Sequence, residues 1–344
     1  MSLLALTTLA CVLSGALASP TQASTAKRAT CTVDSVATAS DLTDCTSVVI
    51  TAFSVPSGNT LEIKAASGAS VTMSGSVTFD QTTTEGPLFT LDTDDVSFNG
   101  NGFSFKGNGP LYWDGQGTDG GSFKPHPFVK FQGSGTFTNF IIKDSPAQAI
   151  SVGTTATSSF TDVLVDNSDG NALGSDGDPI GANTDGFDVS ASDVTISGST
   201  VLNQDDCIAI NSGSNILFEN NICTGGHGMS IGSIATGKSV SGVTFSGNTV
   251  TESMYGMRIK VDSDATDASS YSEDFGTPGT GSTVSGITFS GATTKVTTTG
   301  KFPVVGVDCG KCTGTWDWGS LDATGGEAAD LVLTGGVQIS GGTF

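Results

Sequence analysis

Val194-Thr-Ile-Ser-Gly-Ser-Thr-Val201 returns along the chain as Ile216-Leu-Phe-Glu-Asn-Asn-Ile-Cys223, Val243-Thr-Phe-Ser-Gly-Asn-Thr-Val250 and Ile287-Thr-Phe-Ser-Gly-Ala-Thr-Thr294. An earlier copy reads Val71-Thr-Met-Ser-Gly-Ser-Val-Thr-Phe79. Each copy is a short β-branched run, a Gly, Asn or Ser turn and a second short run. The copies at 194, 216 and 243 start 22 and then 27 residues apart. A β-sandwich does not repeat one motif at such a period, whereas the coils of a solenoid do. Helix signals are almost absent and 47 of the 344 residues are glycine. The reading is an all-β fold, a single-stranded right-handed parallel β-helix of about ten coils. The segment 31–50 is expected to cap its N-terminal end, because an exposed first coil would offer a free edge to other chains.

The first 18 residues run from Met1 through an apolar stretch to Ala16-Leu17-Ala18. This reads as a signal peptide, too short for a membrane span and followed by no second apolar stretch. Lys27-Arg28 ends a short propeptide, 19–28, so the mature chain of 29–344 is expected to begin at Ala29. Of seven cysteines, Cys11 leaves with the leader. The even set Cys31, Cys45, Cys207, Cys223, Cys309 and Cys312 suits an oxidising compartment. Nearest-neighbour pairing, 31–45, 207–223 and 309–312, is the simplest of the 15 connectivities. Cys309 and Cys312 alone are half of a zinc site, and no second pair completes it. The formal charge of −21 excludes nucleic-acid binding by the overall field. Loss of Lys27 and Arg28 makes it more negative still. A polyanionic substrate would therefore need locally placed cations.

Coils can be aligned on the apolar residue that follows each turn. Asp185 then stands four before Val189, Asp206 four before Ile210, His227 four before Ile231 and Tyr255 four before Ile259. Equivalent positions in a solenoid stack at roughly 4.8 Å. These four are thus expected in one column, with Asp205 beside Asp206 and with Arg258 and Lys260 flanking Ile259. A single Asp in a Gly/Ser-rich turn is ordinarily a turn residue. Three at one register raise each other's pKa, which suits a site that handles protons. Glycoside hydrolysis needs that arrangement: one carboxylic acid protonates the leaving oxygen and a carboxylate activates water or attacks carbon. Coil spacing alone leaves retention and inversion both open.

Asn183-Thr-Asp-Gly-Phe-Asp188, Gln204-Asp-Asp-Cys207, Gly225-Gly-His-Gly228 and Arg258-Ile-Lys260 resemble, in order, the four signature motifs of glycoside hydrolase family 28. Gly109-Pro-Leu-Tyr-Trp-Asp-Gly115 and Lys124-Pro-His-Pro-Phe128 are similar to segments of the fungal endo-acting members. The resemblance covers 29–344. It implies a secreted polygalacturonase that cleaves the α-1,4 bonds of polygalacturonate in pectin, with inversion. By that resemblance Asp205 is the general acid, and Asp185 and Asp206 hold and activate the water. His227 tunes the acid's proton, Arg258 and Lys260 clamp a galacturonate carboxylate, and Asn183 shapes the subsite. It implies no metal or organic cofactor, a Cys207–Cys223 pair, and a monomer that binds neither membrane nor nucleic acid. Phe187 points to endo action. His126, between two prolines, reads as a loop packing residue, and the Asp-rich stretch 166–178 as a solvated loop without regular calcium-ligand spacing.

One stretch departs from the family. From 243 to 287 is 44 residues, about two coil lengths, with no strand-like run between Val261 and Val284. The family's extra coil there, with a cleft-lining tyrosine, has no counterpart, and Tyr271 is not assigned its role. The coil beginning at Ile287 should stack straight onto the one ending at Lys260, with 262–283 as an irregular loop at the cleft's edge. Alternatives are a weakened or inactive homologue, a rhamnogalacturonan or xylogalacturonan hydrolase, and a lyase on the same fold. The Gly-His-Gly and Arg-Ile-Lys motifs favour plain polygalacturonate, and a lyase would need calcium-binding acids and an arginine base.

Overall fold

The computed structural model describes residues 30–261, 280–333 and 335–344. The leader 1–18, the propeptide 19–28, Ala29 and the stretch 262–279 with Tyr271 lie outside the described residues. Three parallel sheets run along the molecule, and every strand pairs with the equivalent strand one coil away. This is the expected right-handed parallel β-helix. Among the described residues the second sheet has ten strands, in agreement with about ten coils.

The repeated motif is one corner of a coil. Its first run lies in the first sheet and its second run in the second: Val194–Ser197 then Thr200–Asn203. The residue between them takes a left-handed conformation in coil after coil: Asn139, Asp162, Gly198, Asn220 and Gly247, with φ of 52–65°. Asn, Asp and Gly tolerate that region best, so these residue types recur at the corner. Behind it runs a buried polar ladder. The Ser199 N–H donates to Asn221 Oδ1 at 2.8 Å, the Asn221 N–H to Asn248 Oδ1 at 3.0 Å, and the Asn248 N–H to Thr294 Oγ1 at 3.3 Å. Each amide left unpaired there would cost about 1–3 kcal/mol.

Inward residues of successive coils stack. Phe218, Phe245, Phe289 and Trp318 form a ring column with centroids 6.1, 5.1 and 5.5 Å apart. At the N-terminal end, where a cap was expected, Thr30–Val33 pairs with Ser47–Ile50 and is tied by Cys31–Cys45. Thr315–Asp317 pairs with Gln338–Ser340 over the buried Trp316 and Trp318 at the other end. The disulfides are 31–45, 207–223 and 309–312, the nearest-neighbour set. No helix among the described residues is long and apolar enough to cross a membrane.

Five strands position the site: β1 (Phe187–Ser190), β2 (Asp206–Glu219), β3 (Gly228–Ile234), β4 (Met257–Val261) and β5 (Val305–Cys309). They are neighbours in the third sheet, and β2 bends on into the first. The direct stacking expected after Lys260 is present. Val243 pairs with Ile287, Arg258 with Gly306 and Lys260 with Asp308, so no coil intervenes.

Candidate active site

The turns that lead from the second sheet into the third carry the chemistry. Asp205 ends the turn before β2 and Asp206 opens that strand, and three neighbours hold the turn. Asn203 donates through Nδ2 to the carbonyls of Thr184 and Asp206, both at 2.9 Å. The Gln204 N–H donates to Thr184 Oγ1 at 2.9 Å. Asn183, left-handed at φ 49°, donates through Nδ2 to Asp205 Oδ2 at 3.3 Å, and its own Oδ1 accepts the Thr118 N–H at 2.9 Å. Asn183 was expected to shape a sugar subsite; in the structure it also orients a catalytic candidate.

The column is corrected in two places. Phe187 pairs with Ile208 and Val189 with Ile210, which sets Asp185 at the register of Asp206, as expected. The β2–β3 pairing, however, shifts between Asp206 and Ile208, and Asp206 stands opposite Gly228. The extra residue is Cys207, buried and bonded to Cys223. A bulge moves the partner by one place, so His227 meets Asp205 instead of Asp206. The His227 N–H donates to the Asp205 carbonyl at 2.9 Å, and His227 Nδ1 lies 3.0 Å from Asp205 Oδ1. Tyr255 does not join the open face. It is 1% exposed, its ring 4.9 Å beneath the Arg258 guanidinium carbon and 5.4 Å from the ring of Phe302.

Asp206 is fully buried and held by three donors. Ser230 Oγ lies 2.5 Å and Arg258 Nη2 2.8 Å from Oδ1, and Lys260 Nζ lies 3.0 Å from Oδ2. Burial would raise its pKa, but Lys260 and Arg258 outweigh that and keep it below the usual carboxylate range. Asp205 is likewise buried, and His227, Lys260 and Arg258 hold it well below that range. Asp185 goes the other way. Burial and the carboxylates of Asp205, Asp188 and Asp206 push it well up, and its Oδ1 has no hydrogen-bond partner. Asp188, half-buried on β1, is pushed up to about 8 by burial and by Asp206 and Asp205. The cluster thus sets carboxylates of lowered proton affinity beside carboxylates of raised proton affinity.

Asp188 was quoted in the first motif without a role. The signal that could have found it is strand alternation: Phe187 and Val189 point inward, so Asp188 points to the face of the acids. Ser230 was missed for the same reason. His126, read as a packing residue, does bond its Nδ1 to the Lys124 carbonyl at 2.8 Å, but it also lines a hollow with Gln148, Ser151, Asp188 and Asn211. The Asp-rich loop is not merely solvated, since Ser168, Asn171, Asp178 and Pro179 form one wall of a cleft of about 800 Å³ beside His227. Donor atoms of Asp205, Asp206 and His227 lie within 4.8 Å of one another. Arg258 and Lys260 already occupy Asp206, and a divalent cation there would meet two like charges.

The model of glycosyl hydrolases family 28 matches residues 45–271. The chain belongs to that family. Its match to endopolygalacturonase A of Aspergillus niger is 41% identical over 247 residues, 70% of this chain and 65% of that protein; the chain thus spans just under two thirds of that relative's length. Endopolygalacturonase I of the same species is 36% identical over 335 residues, 88% of this chain and 89% of that one. Among solved structures, endopolygalacturonase I from Stereum purpureum, complexed with two galacturonates, is 48% identical with a TM-score of 0.82, covering 91% of this chain and all of that one. Endo-xylogalacturonan hydrolase from Aspergillus tubingensis, 20% identical with a TM-score of 0.56, shares the fold. The family match breaks off at 271, within the stretch that departs from the family pattern.

Proposed function

We propose that this chain is a secreted, monomeric endopolygalacturonase that hydrolyses α-1,4 bonds between galacturonic acid residues with inversion. What carries the reading is the cluster in which Asp205 faces His227 while Asp206 is clamped by Arg258 and Lys260, in a chain 48% identical to an endopolygalacturonase seen with galacturonate. The three disulfides support an extracellular site of action.

In this reading Asp205 passes a proton, supplied through His227, to the glycosidic oxygen as the bond to the anomeric carbon breaks. Water attacks that carbon from the opposite face. Asp206, tied by three donors, is a weak base, and its work is to hold the water and keep the charge in place. Asp185, whose buried Oδ1 has no hydrogen-bond partner, is in its ionised form the stronger base and takes the water's proton. Arg258 and Lys260 stabilise Asp206 and present positive charge to a uronate carboxylate.

The test is incubation of the pure protein with polygalacturonate in the presence of EDTA, followed by sizing of the products. Saturated oligomers of mixed length support the reading. Unsaturated products indicate a lyase, binding without products an inactive homologue, and preference for xylose-substituted polymer the xylogalacturonan relative.

A further inference from the structure

We propose that Lys301 and Phe302 form a sugar-binding subsite for a uronate residue distant from the scissile bond. The inference rests on the polygalacturonase reading of the same cleft. Direct stacking of the coil after Lys260 creates this corner. The Thr299 N–H donates to the Ser253 carbonyl and the Gly256 N–H to the Val304 carbonyl, both at 2.9 Å. The turn from Thr299 to Pro303 therefore lies on the turn that carries Met254 and Tyr255. Two coil steps separate it from the His227 turn, roughly 10 Å at parallel-strand spacing.

The cleft beside His227 is lined there by Glu252, Met254, Lys301 and Phe302. Arg258 and Lys260 are engaged with Asp206. Lys301 is exposed, and among the described residues it has no carboxylate within 4 Å. It is the lysine of that lining, in a chain of net charge −21 that must hold a polyanion. Phe302 is half-buried, its ring braced by Tyr255 at 5.4 Å, and it offers an apolar surface to the C–H face of a sugar ring. Exposed Glu252, near the end of the strand on the neighbouring coil, can accept hydroxyl donors. An ammonium, an aromatic face and a hydroxyl acceptor together match the carboxylate, ring and hydroxyls of a hexuronate.

The experiment measures KM and kcat of the wild type, Lys301→Gln, Lys301→Arg and the outside control Lys295→Gln on galacturonate oligomers of increasing length. Lys301→Gln should raise KM about tenfold, the loss of one charge-assisted hydrogen bond, on oligomers long enough to reach the turn. Its kcat should stay within about twofold, and the shortest cleavable oligomers should be unaffected. Lys301→Arg should restore most of the affinity, and Lys295→Gln should behave as wild type. An unchanged KM on long oligomers overturns the subsite, as does an equal loss at every length with a lowered Tm. Calorimetry with a long oligomer on Asp205→Asn, with and without Lys301→Gln, reads the subsite without turnover. A wild type that cleaves nothing while Lys301→Gln still loses affinity would refute the hydrolase reading and keep the subsite.

Discussion

Asp205 and His227 meet twice, through Nδ1 to Oδ1 at 3.0 Å and through the His227 N–H to the Asp205 carbonyl at 2.9 Å. The second contact exists because Cys207 bulges out of the β2 ladder and shifts the partner strand. Asp205→Asn keeps the shape and removes the proton. It should lower kcat by about 10² or more while oligomer affinity persists. His227→Ala should lower kcat less. Steady-state kinetics with calorimetric binding checks both.

The bulge itself is testable. Cys207→Ser with Cys223→Ser opens a loop of 16 residues and should cost about 3 kcal/mol of stability. It should also lower kcat, because the register of Asp205 against His227 depends on it. Cys309→Ser with Cys312→Ser opens a separation of only 3 and should cost less, with kcat near wild type. Denaturant titration beside kinetics separates the two effects.

Arg258→Ala leaves Asp206 buried with one cation fewer. The expected loss is about 3–5 kcal/mol, together with weaker binding of polygalacturonate. Arg258→Ala combined with Asp206→Asn should lose less stability than Arg258→Ala alone, since the buried carboxylate that has lost a cation is then neutral. Highly methylated pectin should be a poor substrate, because its esters offer these cations no carboxylate.

Asp188 gives a pH signature. Its folded pKa, about 8, stands above the unfolded carboxyl value of about 3.9. Between those values the folded chain binds more protons than the unfolded one, so this group makes stability fall as pH rises from about 4 to about 8. Asp188→Asn should therefore raise Tm more at pH 8 than at pH 4. Asp205 and Asp206 are depressed, so their contribution is present above about pH 4 and is lost as pH falls further. Thermal melts across that range show both slopes.

The coil period, the corner motif, the disulfide pairs and the direct stacking after Lys260 were all legible in the sequence. Each depends on spacing along one chain, and a solenoid converts spacing into contact. What was hidden depends on side-chain direction or on register breaks. His227 was set against Asp206 because alignment by fixed offset has no place for a bulged Cys207. Asn183 was legible as a motif member, but its service to Asp205 lies in the turn geometry; Ser230 lies outside every motif, on a strand that bonds Asp206. Asp188 was visible to strand alternation, which period counting alone passes over. Phe302 and Lys301 belong to a turn with no motif, and only the stacking of Val304 on Gly256 brings them to the cleft.

The central claim is that water, held by Asp185 and Asp206, displaces the leaving sugar directly while Asp205 gives its proton. Proton NMR of the first products from an oligogalacturonate during early turnover reads this most directly. The account predicts that the new reducing end appears first as the β-anomer and mutarotates afterwards. A new reducing end that appears first as the α-anomer, or an unsaturated non-reducing end, would contradict it.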